Sequence, residues 1–304
     1  MDKEIRSIVK KNALVPKKLT IKNNVRIIDT EKGSFVFKKK GNNRNVDNIY
    51  KYLTSRAFDY YPNKIDENDE YEMYEYIEDY NEPIEQKAVD IINLLTLLHS
   101  KTTFYKEVDF DYYKEIYEEL DGRINYLNNY YTDLITIIEA SIYMSPSDYL
   151  IARNIGKIYG MLNYCHYSLE KWYEKIKDKK KMRVVNIHNN VTIDHYRKKD
   201  KPYFVSWNKS KIDSPIYDLL IFYKNHYLDF DFSELFLMYE SRYRLTEDER
   251  LLLFIYMAIP PKIEVNEREY DLCKKHRKVL DYIYKTDDLI SQYNNKLKPK
   301  NSPT

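Results

Sequence analysis

The stretch Val184–Tyr223, VVNIHNNVTIDHYRKKDKPYFVSWNKSKIDSPIYDLLIFY, decides how the rest of the chain is read. Two short β-rich runs, Arg183–His188 and Tyr203–Trp207, flank a polar connection that carries a turn-like segment at Arg197–Pro202. A helical run, Pro215–Tyr223, follows. The order is strand, loop, hairpin, strand, loop, helix, and the remaining elements have to be arranged around it.

Toward the N-terminus, Leu19–Ile28 and Ser34–Lys39 are predicted as paired strands joined by a turn at Thr30–Gly33. Helical spacing of Val46, Ile49, Tyr50 and Leu53 predicts a helix over Asn45–Arg56. Glu70–Ile77 is a further strand, leading into the polar link Glu78–Pro83. Gln86–His99 is apolar around most of its circumference, as in a helix buried within the larger lobe. Phe110–Tyr143 supplies one or two long charged helices, and Ser145–Pro146 is a Ser cap followed by Pro at the first helical position of a helix reaching about Lys177. Beyond the central stretch, Phe232–Tyr243 is helical, Thr246 and Glu249 form a capping box ahead of Leu251–Ile259, Pro260–Pro261 stops that helix, and Glu267–Tyr284 is the last.

The expected fold class is α+β with two lobes: a small N-terminal antiparallel β-rich lobe over residues 1–80, and a larger, mostly helical C-terminal lobe over 81–293 that contains 184–223. The polar tail Asn294–Thr304 is expected to be disordered.

Composition narrows the function classes. With 50 Lys and Arg against 48 Asp and Glu, the net charge of +2 gives no concentrated basic field, so nucleic acid is not an expected partner. The 33 tyrosines fit codon bias in an AT-rich genome, and their rings with polar tips serve cores and half-buried faces alike. Cys165 and Cys273 sit in helical patterns far from any CxxC spacing, which points to buried free thiols in a reducing compartment. MDKEIRSIVKKN has no apolar signal core and no window approaches about 18 apolar residues, so no membrane association and a cytoplasmic location are expected.

The β-rich lobe, the link near residue 80, a helix ending Leu97–Leu98–His99 and then the central stretch come in an order that resembles the aminoglycoside and choline phosphotransferase family, a kinase-like superfamily that includes the bacterial spore-coat kinase-like proteins. The resemblance covers about residues 20–290. It implies a catalytic loop HGDxxxxN, a metal-binding Asp after a short hairpin, and a P-x-x-D-L helix start. His188 matches the motif's His, Asn189 its Gly, Asn190 the catalytic Asp and His195 the metal-binding Asn. Ser206, before Trp207, stands at the metal-binding Asp, and Pro215, Asp218 and Leu219 complete the helix start. Lys38, in FVFKK, occupies the place of the strand lysine that meets nucleotide phosphates, or else belongs to a solvated cluster with the two lysines after it.

The framework positions agree and the chemical ones do not. Phosphoryl transfer needs a carboxylate to orient the attacking hydroxyl and Mg²⁺ held by hard oxygen ligands. Asn190 is uncharged, His195 and Ser206 make a poor Mg²⁺ pair, and Asp194, one position away, is the remaining candidate metal ligand. None of the five glycines follows Gly160, and no phosphate-cradling glycine loop is evident. His188 also reads as a structural histidine bonded to loop backbone, with Trp207, Pro215 and Asp218 as framework residues. The expectation is therefore a catalytically degenerate, pseudokinase-type protein, leaning away from enzyme activity, that holds a small ligand or a protein partner in a cleft between the lobes. The alternatives are an active small-molecule phosphotransferase, the only case that calls for ATP and Mg²⁺, and a spore-coat-type structural protein located in the coat.

Overall fold

The computed structural model describes residues 2–22, 25–41, 46–80, 82–109, 111–264 and 267–297. In chain order the elements are α1 (Lys3–Lys11), β1 (Pro16–Lys22), β2 (Val25–Thr30), β3 (Gly33–Lys39), α2 (Val46–Ser55), β4 (Lys64–Glu67), β5 (Tyr71–Glu75) and α3 (Ile84–Thr102). Then come β6 (Phe104–Glu107), α4 (Tyr112–Ala140), α5 (Pro146–Ile176), β7 (Lys181–Ile187), β8 (Tyr196–Lys198), β9 (Pro202–Phe204), β10 (Lys211–Asp213), α6 (Ile216–His226), α7 (Phe232–Arg242), α8 (Glu247–Ala258) and α9 (Glu269–Leu297). This is the α+β class, with an antiparallel sheet near the N-terminus and a mostly helical remainder. Packing divides the chain into two compact units, residues 1–102 with 188–211, and residues 103–187 with 212–304.

The first unit is built on a five-stranded antiparallel sheet of order β1-β2-β3-β5-β4. Gly33 turns β2 into β3 at φ +119°, a backbone region closed to residues with a Cβ. Helical spacing gives α1 a stripe of Ile5, Ile8 and Val9, which packs with Ile28, Phe37, Tyr71 and Met73 in one apolar cluster. Because side chains alternate along a strand, burying Phe37 and Met73 there turns Lys38 and its cross-strand partner Glu72 to the other face. α2 ends where Ala57 takes φ 56°, and Tyr50 on that helix stacks on Tyr61 with ring centroids 4.0 Å apart.

In the second unit α4 and α5 form a long helical hairpin, and α5 also packs against α8 and α9. Ser145 caps α5 by accepting the Asp148 amide at 3.2 Å, with Pro146 at the first helical position. β6 pairs with β7 and β10 lies along the other edge of β7. Arg183 on β7 donates through Nε to Glu249 Oε1 at 2.8 Å and through a second N–H to Oε2. The same carboxylate accepts the Thr246 amide at 2.9 Å and so closes the capping box of α8. Arg183 lies 4.7 Å from the centroid of the Tyr243 ring, so this charge is held by the carboxylate and the ring together.

Several expectations need correction. The run Leu19–Ile28 is divided between β1 and β2, so the sheet begins with three strands rather than two. β4 was not anticipated, since Lys64–Glu67 carries a single apolar residue, Ile65. Of the one or two helices expected over Phe110–Tyr143 there is one, α4, as that expectation allowed, with Phe110 itself outside the described residues. By its packing α3 groups with the first unit, where sequence order placed it in the larger lobe. Asn294–Leu297 continue α9 instead of joining a disordered tail, while residues 298–304 lie outside the described residues. Cys165 is buried and Cys273 only partly so, both as free thiols.

Candidate functional site in the first unit

The central stretch returns to the first unit at His188 and leaves it after Lys211. Its anchor is aromatic. His188 is fully buried, stacked on Phe204 with centroids 4.8 Å apart and met edge-on by Trp207 at the same distance. Its Nε2 lies 2.9 Å from the carbonyl oxygen of Val205. Trp207 donates its indole N–H to the Phe204 carbonyl at 2.7 Å and wedges edge-on against Phe58 and Tyr61. These contacts fix the start of the loop against the end of the β8–β9 hairpin.

Two residues of the loop occupy the left-handed region. Asn189 has φ 56°, where asparagine is among the more tolerant residues. Ser206 has φ 68° and ψ 52°, at a cost on the order of 1–2 kcal/mol for a residue with a Cβ. The abrupt turn aims its hydroxyl at the face of the sheet that carries Lys38.

Lys38, Asn190, His195 and Ser206 line one cleft of about 1010 Å³. Lys38 Nζ donates to Ser206 Oγ at 3.3 Å and lies 5.7 Å from the centroid of the Tyr74 ring. It is thus a half-buried wall residue and not one of a solvated lysine cluster. Burial pulls its amine down to about 8, only partly opposed by the charge of Glu72. Glu72 faces Lys38 across the strands but is engaged elsewhere, accepting the Tyr74 hydroxyl at 2.9 Å and lying 3.4 Å from Lys64 Nζ. Lys64 also bonds Asp47 and Glu67 at 2.8 Å, and Lys40 pairs with Glu67 at 2.6 Å.

His195 Nδ1 sits 2.8 Å from the Asn190 carbonyl oxygen, and a carbonyl can only accept. The ring therefore carries its proton on Nδ1 and keeps a lone pair on Nε2. Burial, helped by the nearby Lys38 charge, holds the imidazole below its usual range, that is, neutral. Asn190 Nδ2 makes a long 3.5 Å contact to the Ser206 carbonyl. Asp194 is exposed and does not line the cleft. Pro215 and Asp218 lie in the second unit, Pro215 immediately before α6 and Asp218 fully buried in its first turn.

The donors do not fit Mg²⁺. His195, Ser206 and Asn190 offer an imidazole, a hydroxyl and an amide where a hard dication wants carboxylate oxygens, and the carboxylates that line the cleft, Asp47, Glu67 and Glu72, are engaged by Lys64, Lys40 and Tyr74. Among the described residues no group of three His, Cys, Asp or Glu side chains is placed to hold a metal. Sequence reasoning missed Glu72, Asp47, Glu67 and Lys64, because their convergence depends on strand register and on β4.

No family model and no curated protein matches this sequence. Solved structures do. An aminoglycoside phosphotransferase from Alicyclobacillus acidocaldarius shares 9% identity over 92% of this chain and 90% of its own, with a TM-score of 0.63. An AMP-bound spectinomycin phosphotransferase shares 12% identity over 97% of this chain and 96% of its own, with a TM-score of 0.51. At these identities the likeness is one of fold alone, and it shows the two-lobed, kinase-like α+β fold that these two phosphotransferases have. Among the described residues no helix is long and apolar enough to cross a membrane.

Proposed function

We propose that this chain keeps a phosphotransferase fold without phosphoryl transfer and works by holding a small ligand in the first-unit cleft. The observation that carries this reading is the identity of the side chains gathered there. Asn190, His195 and Ser206 are all uncharged, and they line the cleft at the positions that the resemblance gives to a catalytic carboxylate and two metal ligands. The acids that do line it, Asp47, Glu67 and Glu72, are already engaged by Lys64, Lys40 and Tyr74. With its carboxylates engaged and a donor set at the motif positions that does not suit Mg²⁺, the cleft is poorly equipped for the two main contributions to phosphoryl transfer, orientation and charge neutralisation. A concave site with a few convergent polar groups on aromatic walls is a form that suits a small molecule.

A second reading, an active small-molecule phosphotransferase, draws support from the fold shared with an aminoglycoside and a spectinomycin phosphotransferase. With Asp194 exposed and outside the cleft lining, that reading has to recruit Lys38 and one of Asp47, Glu67 and Glu72. Thermal-shift titration with ATP, with and without Mg²⁺, separates the two, because a ligand at 100 times its Kd stabilises by about 2.7 kcal/mol. Our reading expects no Mg²⁺-dependent shift and no ATP consumption. A Mg²⁺-dependent shift with turnover that disappears in Lys38→Ala overturns it.

A further inference from the structure

We infer that Ser206 and Lys38 form a nucleophile–base pair and that the first-unit cleft cleaves small activated acyl esters. The inference rests on the reading that this cleft does not transfer phosphate, and it assigns the cleft a different chemistry. Three geometric observations carry it.

The hydroxyl and the amine are paired. Lys38 Nζ and Ser206 Oγ are 3.3 Å apart, a distance typical of a nucleophile and its base before substrate tightens them. Among the described residues no carboxylate comes within ion-pair distance of Lys38, since Glu72 is taken by Lys64 and Tyr74. The charged groups lining the cleft around the pair are Arg26, Lys39 and Lys40 on one side of the balance and Asp47, Glu67 and Glu72 on the other. An amine in such a place gives up its proton readily: at about 8, roughly a quarter of it is neutral at pH 7.5.

The serine is also presented. Its left-handed φ of 68° puts it on a sharp turn between β9 and a single 3₁₀ turn, the kind of strained corner that holds a nucleophilic hydroxyl clear of its own backbone. Finally, the cleft holds a second base and neutral donors. His195 shares the wall with Nδ1 committed to the Asn190 carbonyl and the Nε2 lone pair available, and Asn190 and Asn208 bring amide groups to the same lining.

The chemistry balances without any further reagent. Ser206 Oγ adds to the ester carbonyl carbon while its proton passes to Lys38 Nζ. The tetrahedral adduct collapses, the bond to the leaving alkoxide breaks, and that oxygen takes the proton from Lys38. Water then attacks the acyl-serine, gives one proton to His195 or Lys38, and releases the carboxylic acid as Ser206 regains its hydrogen. Asn190 and Asn208, which line the same cleft, are the amide donors that would meet the oxygen that becomes negative.

The test uses the full chain, a fluorophosphonate probe with mass-spectrometric location of the adduct, and p-nitrophenyl acetate hydrolysis followed against pH. The expected result is one adduct per chain on Ser206, absent in Ser206→Ala, with kcat/KM rising with pH to a plateau and a midpoint near 8. Loss of the base in Lys38→Ala, and in Lys38→Arg, which keeps a charge but cannot deprotonate, should lower kcat/KM by about 100-fold or more. Thermal unfolding of each variant reports whether the fold persists, and Ser206→Gly provides a second nucleophile-free chain without backbone strain. Labelling elsewhere than Ser206, or a rate unchanged in Lys38→Arg, overturns the dyad. No adduct and no ATP consumption sinks the dyad alone, whereas ATP consumption without an adduct sinks the dyad and the non-phosphotransferase reading together.

Discussion

Replacing Lys38 by Met should stabilise the protein, and it should do so only below a definite pH. The folded environment pulls the amine from 10.5 to about 8, chiefly by burial. At about 1.36 kcal/mol per pH unit, keeping it charged in the fold costs on the order of 3 kcal/mol. Between pH 8 and 10.5 the unfolded chain binds a proton that the native state does not, so stability rises with pH across that window. The penalty is complete below 8 and gone above 10.5. Methionine matches the length of the stem, has no charge to desolvate, and gives up one hydrogen bond to Ser206 worth about 1 kcal/mol. A net gain near 2 kcal/mol is therefore expected at pH 7, shrinking toward zero or slightly below by pH 10.5. The chain has two tryptophans, Trp172 in the second unit and Trp207 in the first, so a Trp172→Phe background lets Trp207 fluorescence follow the first unit alone through urea unfolding. Measuring the difference between Met and Lys chains at each pH removes all other titrating groups. A difference that does not change with pH, or a Met chain less stable throughout, would refute the burial argument.

Ser206→Gly relieves the left-handed backbone and should raise the urea midpoint of the first unit by the equivalent of about 1 kcal/mol. Glu249→Ala strands Arg183, whose side chain is only 14% exposed, and should cost about 3–5 kcal/mol in calorimetry, most of it recovered in Arg183→Met with Glu249→Leu. If the double replacement is as unstable as the single one, the unpaired charge is not the cause. Above pH 10 the protein should lose stability as the unfolded chain sheds phenolic protons that the native state retains. Tyr112, Tyr113 and Tyr223 are pushed up to about 12 mainly by burial, and absorbance at 295 nm should show their ionisation coinciding with unfolding, not preceding it.

Local chemistry was legible in the sequence wherever a few neighbouring residues settle the outcome. Ser145 before Pro146, and Thr246 with Glu249, locate two helix starts because caps act over three or four residues. The family resemblance singled out Asn190, His195 and Ser206, and these three line one cleft. What the sequence withheld is set by register. Nothing in FVFKK or EYEMYEYI says that Lys38 faces Glu72, and a slip of one residue would have turned Lys38 to the apolar side and Phe37 away from it. β4 escaped notice because its charged residues serve to hold other charges, with Lys64 as the hub for Asp47, Glu67 and Glu72. Asp194, adjacent in sequence to the motif position, turns outward, and adjacency along the chain said nothing of that.

The first unit is assembled from two separated stretches, 1–102 and 188–211, and this has a consequence for how it is made. A ribosome adding about 5–20 residues per second needs roughly 5–20 s to pass from one stretch to the end of the other. In that interval Phe58 and Tyr61 wait without the Trp207 ring, and Asp90 without the Tyr196 hydroxyl and the Lys198 ammonium that later bond it at 3.0 and 2.8 Å. Phe58, Tyr61 and Asp90 therefore emerge without these partners while α4 and α5 are being synthesised. A chain stopped at residue 102 lacks residues 188–211 and is an incomplete fold.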